Sequence, residues 1–147
     1  MPAQGSVKFS LTVADWDTQQ RHARAVRDEV FINEQNIPLA LEWDEMDCVS
    51  LHAVVLDEAG RAIGTGRLLP DCHIGRMAVT SAMRGAGIGG AILDALMQEA
   101  RKRGDKAVLL NAQIHAEAFY ARHGFVREGQ EFIEAGIPHI RMRRMFV

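Results

Sequence analysis

The chain has 147 residues, which suits one domain with one core, and we interpret residues 1–147 as a single domain. Hydrophobic residues make up 48% and charged residues 24%, and the net charge of −2 gives no reason to expect nucleic acid or an anionic membrane as a partner. Cys48 and Cys72 show neither CxxC nor Cys/His ligand spacing, which argues against a disulfide framework and a metal site. Residues 1–10 lack a signal-peptide core and no apolar run could span a bilayer, so we expect a cytoplasmic location.

The N-terminal third of the chain predicts one strand, one helix and an acidic loop. Alternating polar and apolar residues indicate a strand at residues 7–13. We expect the first helix to begin at Asp17, with Gln20 as its capping-box partner, and to end before Pro38, because proline cannot donate a backbone hydrogen bond. The loop that follows is acidic through Glu42, Asp44, Glu45 and Asp47.

The middle of the chain predicts three strands and the most regular helix of the sequence. The strands are expected at residues 50–56, 62–69 and 72–79. A turn at residues 57–60 joins the first two strands into a hairpin. The helix is expected at residues 87–103. Its apolar face, at helical spacing, consists of Ile88, Ala91, Ile92, Ala95 and Leu96.

The C-terminal third predicts a buried strand, a short helix and a closing hairpin. Residues 107–110 are all apolar, as expected of a strand covered on both faces, and residues 116–123 form the helix. The hairpin is expected at residues 125–132 and 139–146, around Gly136, Ile137 and Pro138. The order is strand, helix, three strands, helix, strand, helix and two strands. It predicts an α/β fold in which helices flank a mixed sheet of about seven strands, with parallel strands around the central helix.

The most informative segment lies between the strand that ends with Met77, Ala78 and Val79 and the long helix. It consists of Arg84, Gly85, Ala86, Gly87, Ile88, Gly89 and Gly90. Backbone N–H groups and the positive end of the helix dipole make such a helix start an anion site, and glycines let a phosphate approach closely. Arg84 adds a permanent positive charge. A mere tight turn would not need four glycines in six residues, so the segment predicts a phosphate or pyrophosphate ligand.

Two other nucleotide-binding motifs fit this segment less well. A Walker A loop requires Lys and then Ser or Thr after its last glycine, whereas Ala91 and Ile92 follow Gly90. The dinucleotide fingerprint G-x-G-x-x-G is matched by Gly85, Gly87 and Gly90, but no acidic residue follows the next strand, where one should contact the ribose. NAD binding is therefore a minor alternative.

Two motifs of the chain resemble the GNAT superfamily of acetyltransferases. Arg84, Gly87 and Gly89 resemble its [Q/R]-x-x-G-x-[G/A] signature, placed between the fourth strand and the long helix. Residues 116–125 resemble its A-x-x-[FL]-Y-x-x-x-G-F segment. The two motifs in this order and at this spacing are far more specific than either one, and the resemblance implies the GNAT fold.

Other parts of the chain resemble a branch of small bacterial GNAT proteins known as YjcF-like or ElaA-like. The matching segments are residues 30–35, 37–38, 41–44 and 134–139, together with Asp47. The resemblance therefore extends over nearly the whole chain. Most members of this branch lack a known substrate.

The resemblance implies an N-acetyltransferase that uses acetyl-CoA (coenzyme A as acyl carrier). Backbone groups of residues 77–79 would pair with the pantetheine arm, and an N–H near Val79 would polarise the thioester carbonyl. The amides of residues 85–90 would hold the pyrophosphate. Tyr120, the only tyrosine, would protonate the departing thiolate. Gln113 stands where many relatives have Asn and would contact the cofactor arm.

The acceptor is expected to be an amine, of a small molecule or of a protein, that attacks the thioester directly in a ternary complex. Glu34, at the end of the first helix, and His139, after the closing turn, are the candidate acceptor-site residues. Glu34 is also the first candidate for the general base. The base stays open among Glu34, Asp44, Asp47, His73, His115 and His139. The acidic loop predicts a cationic amine; in the alternative interpretation its acids only solvate a loop.

Two other functions stay open. A non-catalytic member of the fold would bind an acyl-CoA as a sensor or interaction module. A relative of the acyl-homoserine lactone synthases would need a basic docking patch, for which Arg141, Arg143 and Arg144 are the candidates. The oligomeric state, with a homodimer as one option, and the length of the acyl group are not predicted.

Overall fold

The computed structural model describes residues 8–38 and 44–146, so Val7 of the predicted first strand and Glu42 of the acidic loop lie outside the described residues. Within these ranges, seven strands and three α-helices follow each other in the predicted order. They are β1 (Phe9–Ala14), α1 (Trp16–Arg27), β2 (Leu51–Asp57), β3 (Ala62–Leu68), β4 (Ile74–Val79), α2 (Ile88–Lys102), β5 (Ala107–Gln113), α3 (Glu117–Arg122), β6 (Val126–Glu134) and β7 (Ile137–Met145). Most predicted ends shift by one or two residues, which is the usual uncertainty of element ends.

The first helix begins earlier than predicted and then changes its geometry. Its N-cap is Asp15, whose carboxylate accepts a hydrogen bond from the Thr18 backbone N–H at 3.0 Å. The expected start at Asp17 with a capping box to Gln20 is therefore wrong, because Asp15 already satisfies an N–H of the first turn. After α1 the chain continues as a π-helical segment, Asp28–Glu34, a geometry that is rare and frequent at functional sites.

The strands form two sheets that part between β4 and β5. The first sheet has the antiparallel order β1-β2-β3-β4, and the second has the antiparallel order β5-β7-β6. In the part of the chain that the structure describes, one parallel bridge between His73 and Leu109 joins the two sheets. The predicted mixed sheet with parallel strands around α2 is thus present, but it splits beyond this bridge.

A β-bulge bends β4 at the point where it leaves β5. Thr65 of β3 pairs with Ala78, and Arg67 pairs with Gly75, so one residue of β3 lies opposite two residues of β4. Arg76 occupies the bulge with a φ of 48°, a left-handed conformation that is uncommon for a residue with a side chain. Bulges bend a strand and increase its twist, which is consistent with the opening of the sheet here.

Helix α2 packs its apolar face closely against β3. Its buried residues are Ile88, Ile92, Leu93, Leu96, Met97 and Ala100. Ala91 and Ala95 of the predicted face are half-buried. Gly66 of β3 permits the close approach, because a Cβ there would lie 2.7 Å from Cγ2 of Ile92. Each buried Ile or Leu contributes about 1.5–3 kcal/mol, so this face holds α2 and the turn at its N-terminus in place.

Three buried charged residues connect α1, β3 and the 3₁₀ turn Glu45–Val49. Asp47 is 2% exposed and accepts hydrogen bonds of 3.0 Å from Arg27 and from Arg67. A buried charge is tolerated when it is paired and hydrogen-bonded, as these are. The prediction that Asp47 belongs to an acidic surface facing the acceptor is therefore wrong, since the carboxylate points into the protein.

The closing hairpin turns at Ala135 and Gly136, one position earlier than predicted. Both residues have positive φ angles, 51° and 77°, and Glu134 pairs with Ile137 across them. This is the pattern of a two-residue type I′ turn, whose twist matches that of the strands it joins. Ile137 and Pro138, expected in the turn, instead begin β7.

None of the helices found in residues 8–38 and 44–146 is both long and apolar enough to cross a membrane. Over the same residues, no group of three or more His, Cys, Asp or Glu side chains could hold a metal ion.

Candidate active site

A cleft of about 940 Å³ lies where β4 and β5 diverge. Residues of β4 form one side, and residues of β5, α3 and the β6–β7 turn form the other. The π-helical segment after α1 closes the cleft through Val30, Phe31 and Glu34. The cleft brings together Met77, Ala78, Val79, Arg84, Gln113, Tyr120, Glu34 and His139 of the predicted site residues.

The edge of β4 that faces the cleft is open to a new partner. Met77, Ala78 and Val79 line the cleft, and β4 uses its other edge to pair with β3. Past the single bridge at His73, the described pairings give β4 no partner on the β5 side. Backbone N–H and C=O groups on such an edge can accept an extended chain as an added strand.

The glycine-rich turn exposes backbone at the start of α2. Gly87 is the N-cap with a φ of 83°, and Gly85 has a φ of 85°. A Cβ built at either position would meet no atom within 4 Å, so these two glycines are required by the left-handed backbone and leave the approach open. No acidic residue lies in the first turn of α2, which keeps its positive end available to an anion.

Gly89 and Gly90 have a different role, because they allow α3 to pack against α2. A Cβ at Gly89 would lie 3.4 Å from Phe119, and one at Gly90 would lie 3.1 Å from Nε2 of His123. Residues 85–90, including Ala86 and Ile88, are not among those that line the cleft itself, whereas Arg84 immediately before them is.

Arg84 binds protein groups rather than pointing freely at the glycine turn. Its two terminal nitrogens donate to the two carboxylate oxygens of Glu34, both at 2.6 Å, and its Nε donates to the Val79 carbonyl at 3.0 Å. The hydrogen bond from Arg84 holds the pKa of Glu34 below its usual range. A carboxylate whose pKa is lowered is a weaker base, so the ion pair argues against a proton-accepting role for Glu34.

Tyr120 lies half-buried on α3 and reaches across to β4. Its hydroxyl lies 4.0 Å from the sulfur of Met77, and its ring packs edge-on against Phe119 and Phe125. Burial raises the pKa of Tyr120 to about 12. The phenol therefore keeps its proton at neutral pH and can donate it inside the cleft.

Gln113 connects β5 to the end of the π-helical segment. Its Nε2 donates to Oε1 of Gln35 at 3.2 Å, and its Oε1 lies 2.8 Å from Nε2 of His115. Both ends of the Gln113 amide thus bind neighbouring side chains within the cleft wall.

His139 lies on β7 with 6% of its surface exposed, and it lines the cleft. Its Nδ1 lies 2.7 Å from the Ile137 carbonyl, and its ring stacks on Phe132 at 5.8 Å. Its Nε2 lies 3.9 Å from Oε2 of Glu134, a residue that the sequence did not single out as a site candidate.

Two arginines neutralise Asp44, the described acid of the predicted acidic loop that lines the cleft. Asp44 binds Arg67 at 2.7 Å and Arg76 at 3.0 Å. Burial raises the pKa of Asp44, but the hydrogen bond from Arg67 and the charges of both arginines outweigh burial and leave it lowered. Glu45 is exposed and does not line the cleft. The described acids of the loop, Asp44, Glu45 and Asp47, therefore do not form the free acidic wall that one interpretation of the sequence predicted.

The sequence missed Arg67 and Arg76, because arginines in the middle of predicted strands carry no motif. It also missed Asn111 and Glu134, which line the same side of the cleft and are joined by a hydrogen bond of 3.5 Å. One feature of the sequence could have indicated Asn111: it is a polar residue that directly follows the apolar run at residues 107–110. Cys72 is half-buried outside the cleft lining, and burial raises the pKa of its thiol, which does not favour a nucleophilic role.

A split sheet with a glycine-rich helix start beside the opening is an arrangement suited to holding an acyl-CoA, and comparisons with known proteins agree. Residues 17–146 match the family model of the acetyltransferase (GNAT) domain. The chain is 40% identical over 140 residues to the uncharacterized N-acetyltransferase YjcF of Bacillus subtilis (strain 168), and the match covers 92% of this chain and 99% of YjcF.

Solved structures show the same fold. An acyl-CoA N-acyltransferase from Pseudomonas aeruginosa superposes with a TM-score of 0.83 at 32% identity, over 93% of this chain and 99% of that one. Escherichia coli ElaA superposes with a TM-score of 0.82 at 27% identity, over 93% of this chain and 99% of ElaA. The chain belongs to the GNAT acetyltransferase family and is an acyltransferase.

Proposed function

We propose that this chain is an acetyl-CoA-dependent N-acetyltransferase that moves the acetyl group to an amine by direct attack in a ternary complex. One observation carries the proposal: the unpaired edge of β4 and Tyr120 line one cleft between β4 and β5, and Arg84, which also lines it, immediately precedes the glycine turn at the start of α2. An extended thioester, its phosphates and a proton donor for its sulfur need these three features together.

The cofactor would lie along β4 and end at the start of α2. In this proposal the backbone of Met77, Ala78 and Val79 pairs with the pantetheine arm, and an N–H near Val79 polarises the thioester carbonyl. The backbone amides of residues 85–90 hold the pyrophosphate. Arg84 supports both ends, because it holds the Val79 carbonyl and immediately precedes Gly85. Gln113 borders the arm from β5.

The transfer itself requires two proton movements. The amine nitrogen bonds to the thioester carbonyl carbon, the carbon–sulfur bond breaks, and Tyr120 gives its phenolic proton to the departing sulfur. A base takes the proton that the nitrogen loses, and that proton returns to Tyr120 through water. The protein contributes orientation of the two reactants, which is a large part of the acceleration in such reactions.

The acceptor would approach from the side of Glu134 and His139. Among the described acids that line the cleft, Glu34 binds Arg84, Asp44 binds two arginines and Asp71 lies 3.0 Å from His73, whereas Glu134 lies 3.9 Å from His139. Glu134 forms no ion pair with a described lysine or arginine. It is therefore the carboxylate with which a protonated amine, of a small molecule or of a protein, would interact.

The experiment is a measurement of thiol release from acetyl-CoA with a panel of amines. Polyamines and lysine-like amines are compared with neutral and acidic amines at low and high salt. We expect amine-dependent release that is fastest with cationic amines and slower at high salt. If CoA binds but no amine accelerates thiol release, the non-catalytic acyl-CoA-binding function replaces this proposal. If acidic amines react fastest, the cationic acceptor is wrong.

A further inference from the structure

We propose that His139 is the general base of this transfer and that Glu134 receives the protonated amine beside it. The inference rests on the proposed function, which requires that a protonated amine lose a proton before or during attack. The sequence left six candidate bases open, and the structure separates them by the partners that each one already has.

Each of the three carboxylates among the candidate bases already forms an ion pair with one or two arginines. Glu34 is held by two bonds of 2.6 Å from Arg84. Asp44 bridges two arginines, and Asp47 is buried between two arginines of the core. A proton placed on any of these carboxylates would break a charge-assisted hydrogen bond, which makes each a poor acceptor.

His73 and His115 are also less suitable than His139. The Nδ1 of His73 lies 3.0 Å from Asp71, and a guanidinium nitrogen of Arg141 lies 3.5 Å from its Nε2, so a cation occupies the nitrogen that would take the proton. His115 is exposed, and its Nε2 lies 2.8 Å from the Gln113 amide oxygen. A base in bulk water loses the advantage of a fixed position at the reacting nitrogen.

Backbone contact fixes the tautomer of His139. The Ile137 carbonyl, 2.7 Å from Nδ1, can only accept, so Nδ1 must carry the hydrogen. In the neutral imidazole Nε2 then holds the lone pair. No hydrogen bond occupies Nε2 within residues 8–38 and 44–146, and stacking on Phe132 holds the ring plane. The lone pair is thus held on a buried ring that borders the cleft.

Glu134 completes the pair from the other side of the type I′ turn. Its Oε2 lies 3.9 Å from Nε2 of His139, and its Oε1 accepts a hydrogen bond of 3.5 Å from Asn111. The other neighbours of His139 across β5 and β6 are Gln113 and Phe132, which carry no charge. Half of the Glu134 side chain is exposed, so an ammonium group can reach it from the cleft.

The proton balance of the step is simple. The ammonium first binds the Glu134 carboxylate, and Nε2 of His139 takes one proton from its nitrogen, directly or through one water. The nitrogen lone pair then attacks the carbonyl carbon. The resulting imidazolium carries its new proton toward the Glu134 carboxylate, which stabilises the charge until this first proton leaves to solvent. When the carbon–sulfur bond breaks, the nitrogen gives its second proton to His139, which is neutral again, and this proton passes through water to Tyr120, where it replaces the proton given to the sulfur.

Kinetics on four variants test the assignment, with the cationic amine that reacts fastest in the wild type. We expect His139→Gln to lower kcat about a hundredfold and to remove the acid limb of the pH–rate profile, while CoA affinity is kept. Glu134→Gln should mainly raise KM for the amine. The controls are His22→Gln, on α1 and outside the cleft lining, and Glu131→Gln, an exposed acid of β6 paired with Arg127; both should stay near wild type.

A wild-type kcat and pH profile in folded His139→Gln would overturn the inference while leaving the proposed function intact. Absence of amine-dependent thiol release in the wild type would instead overturn the proposed function and the base assignment together. A second measurement needs no substrate. Long-range nitrogen–proton NMR of the wild-type protein at neutral pH shows which ring nitrogen of each histidine carries the hydrogen. We expect His139 as the tautomer protonated at Nδ1; a proton found on Nε2 instead would overturn the inference by itself.

Discussion

Glu34 and Arg84 form a two-pronged ion pair across 50 residues of sequence, with both carboxylate oxygens 2.6 Å from guanidinium nitrogens. The same guanidinium holds the Val79 carbonyl through Nε. The pair therefore ties the end of the π-helical segment to the end of β4 and to the glycine turn. From the sequence, we expected Glu34 on the acceptor side of the site and Arg84 on the cofactor side, and the ion pair joins the two.

For Glu34→Gln we predict a small effect on activity, because Glu34 positions Arg84 and is not the base. We expect kcat to stay within tenfold of wild type and the free energy of unfolding to change by less than about 1 kcal/mol, as for other exposed pairs. Steady-state kinetics and chemical denaturation measure both. A hundredfold fall in kcat with unchanged CoA affinity would return the role of base to Glu34.

For Gly87→Glu we predict loss of CoA binding, because a carboxylate would stand beside the helix start that holds the pyrophosphate. Two variants control for backbone strain. Gly87→Ala has the same left-handed φ without the charge, and Gly60→Glu adds the charge at a remote hairpin turn with a φ of 84° and equal space. Calorimetry should show that both controls bind CoA. Full affinity in folded Gly87→Glu would place the pyrophosphate elsewhere.

For Tyr120→Phe we predict an intact fold and intact CoA affinity with kcat reduced about a hundredfold, because only the proton donor is lost. The test requires conditions in which chemistry limits the rate. Rapid mixing of enzyme, acetyl-CoA and amine provides this check. Unchanged chemistry in the variant would transfer the acid role to water.

The single tyrosine also allows a direct titration. Burial raises the pKa of Tyr120 to about 12, so its ultraviolet titration should lie well above that of a free tyrosine. The protonated form is favoured in the folded state. The resulting stabilisation is complete below the pKa of unfolded tyrosine and is lost as the pH rises toward 12. An ordinary tyrosine titration in the folded protein would contradict the burial of this hydroxyl.

For Asp47→Asn we predict strong destabilisation, because Arg27 and Arg67 would lose a buried carboxylate. We expect the free energy of unfolding to fall by about 3 kcal/mol. Glu29→Gln is the matched control: it removes a pair with Arg61 in which both side chains are largely exposed, and it should cost less than about 1 kcal/mol. Equal effects in the two variants would contradict the buried ionic cluster.

The sequence predicted the features that depend on local pattern. The order of the elements, the apolar face of α2 and the exposed glycine turn all follow from periodicity and from residues whose backbone needs are specific, such as Gly87. Short segments encode these features almost independently of the rest of the chain. The same is true of Tyr120, which a motif of ten residues placed correctly in the cleft.

Pairings between distant segments could not be predicted in this way. Asp47 looked like a loop acid because nothing near it in sequence shows that two arginines from α1 and β3 enclose it. The split between β4 and β5 lies beside a bulge at Arg76, and arginine is not a residue type that indicates a bulge in a sequence. Partners such as Glu134 and His139 meet because the turn at Ala135 and Gly136 sets their register, which shifts with a change of one residue.

The most direct test of the account is a single-turnover reaction with enzyme in excess over acetyl-CoA, in the presence and absence of a cationic amine. We predict that CoA thiol appears rapidly only with the amine and that an equal amount of N-acetylated amine is found by mass spectrometry. Thiol release at the same rate without the amine, or release without acetylated product, would contradict acyl transfer to an amine.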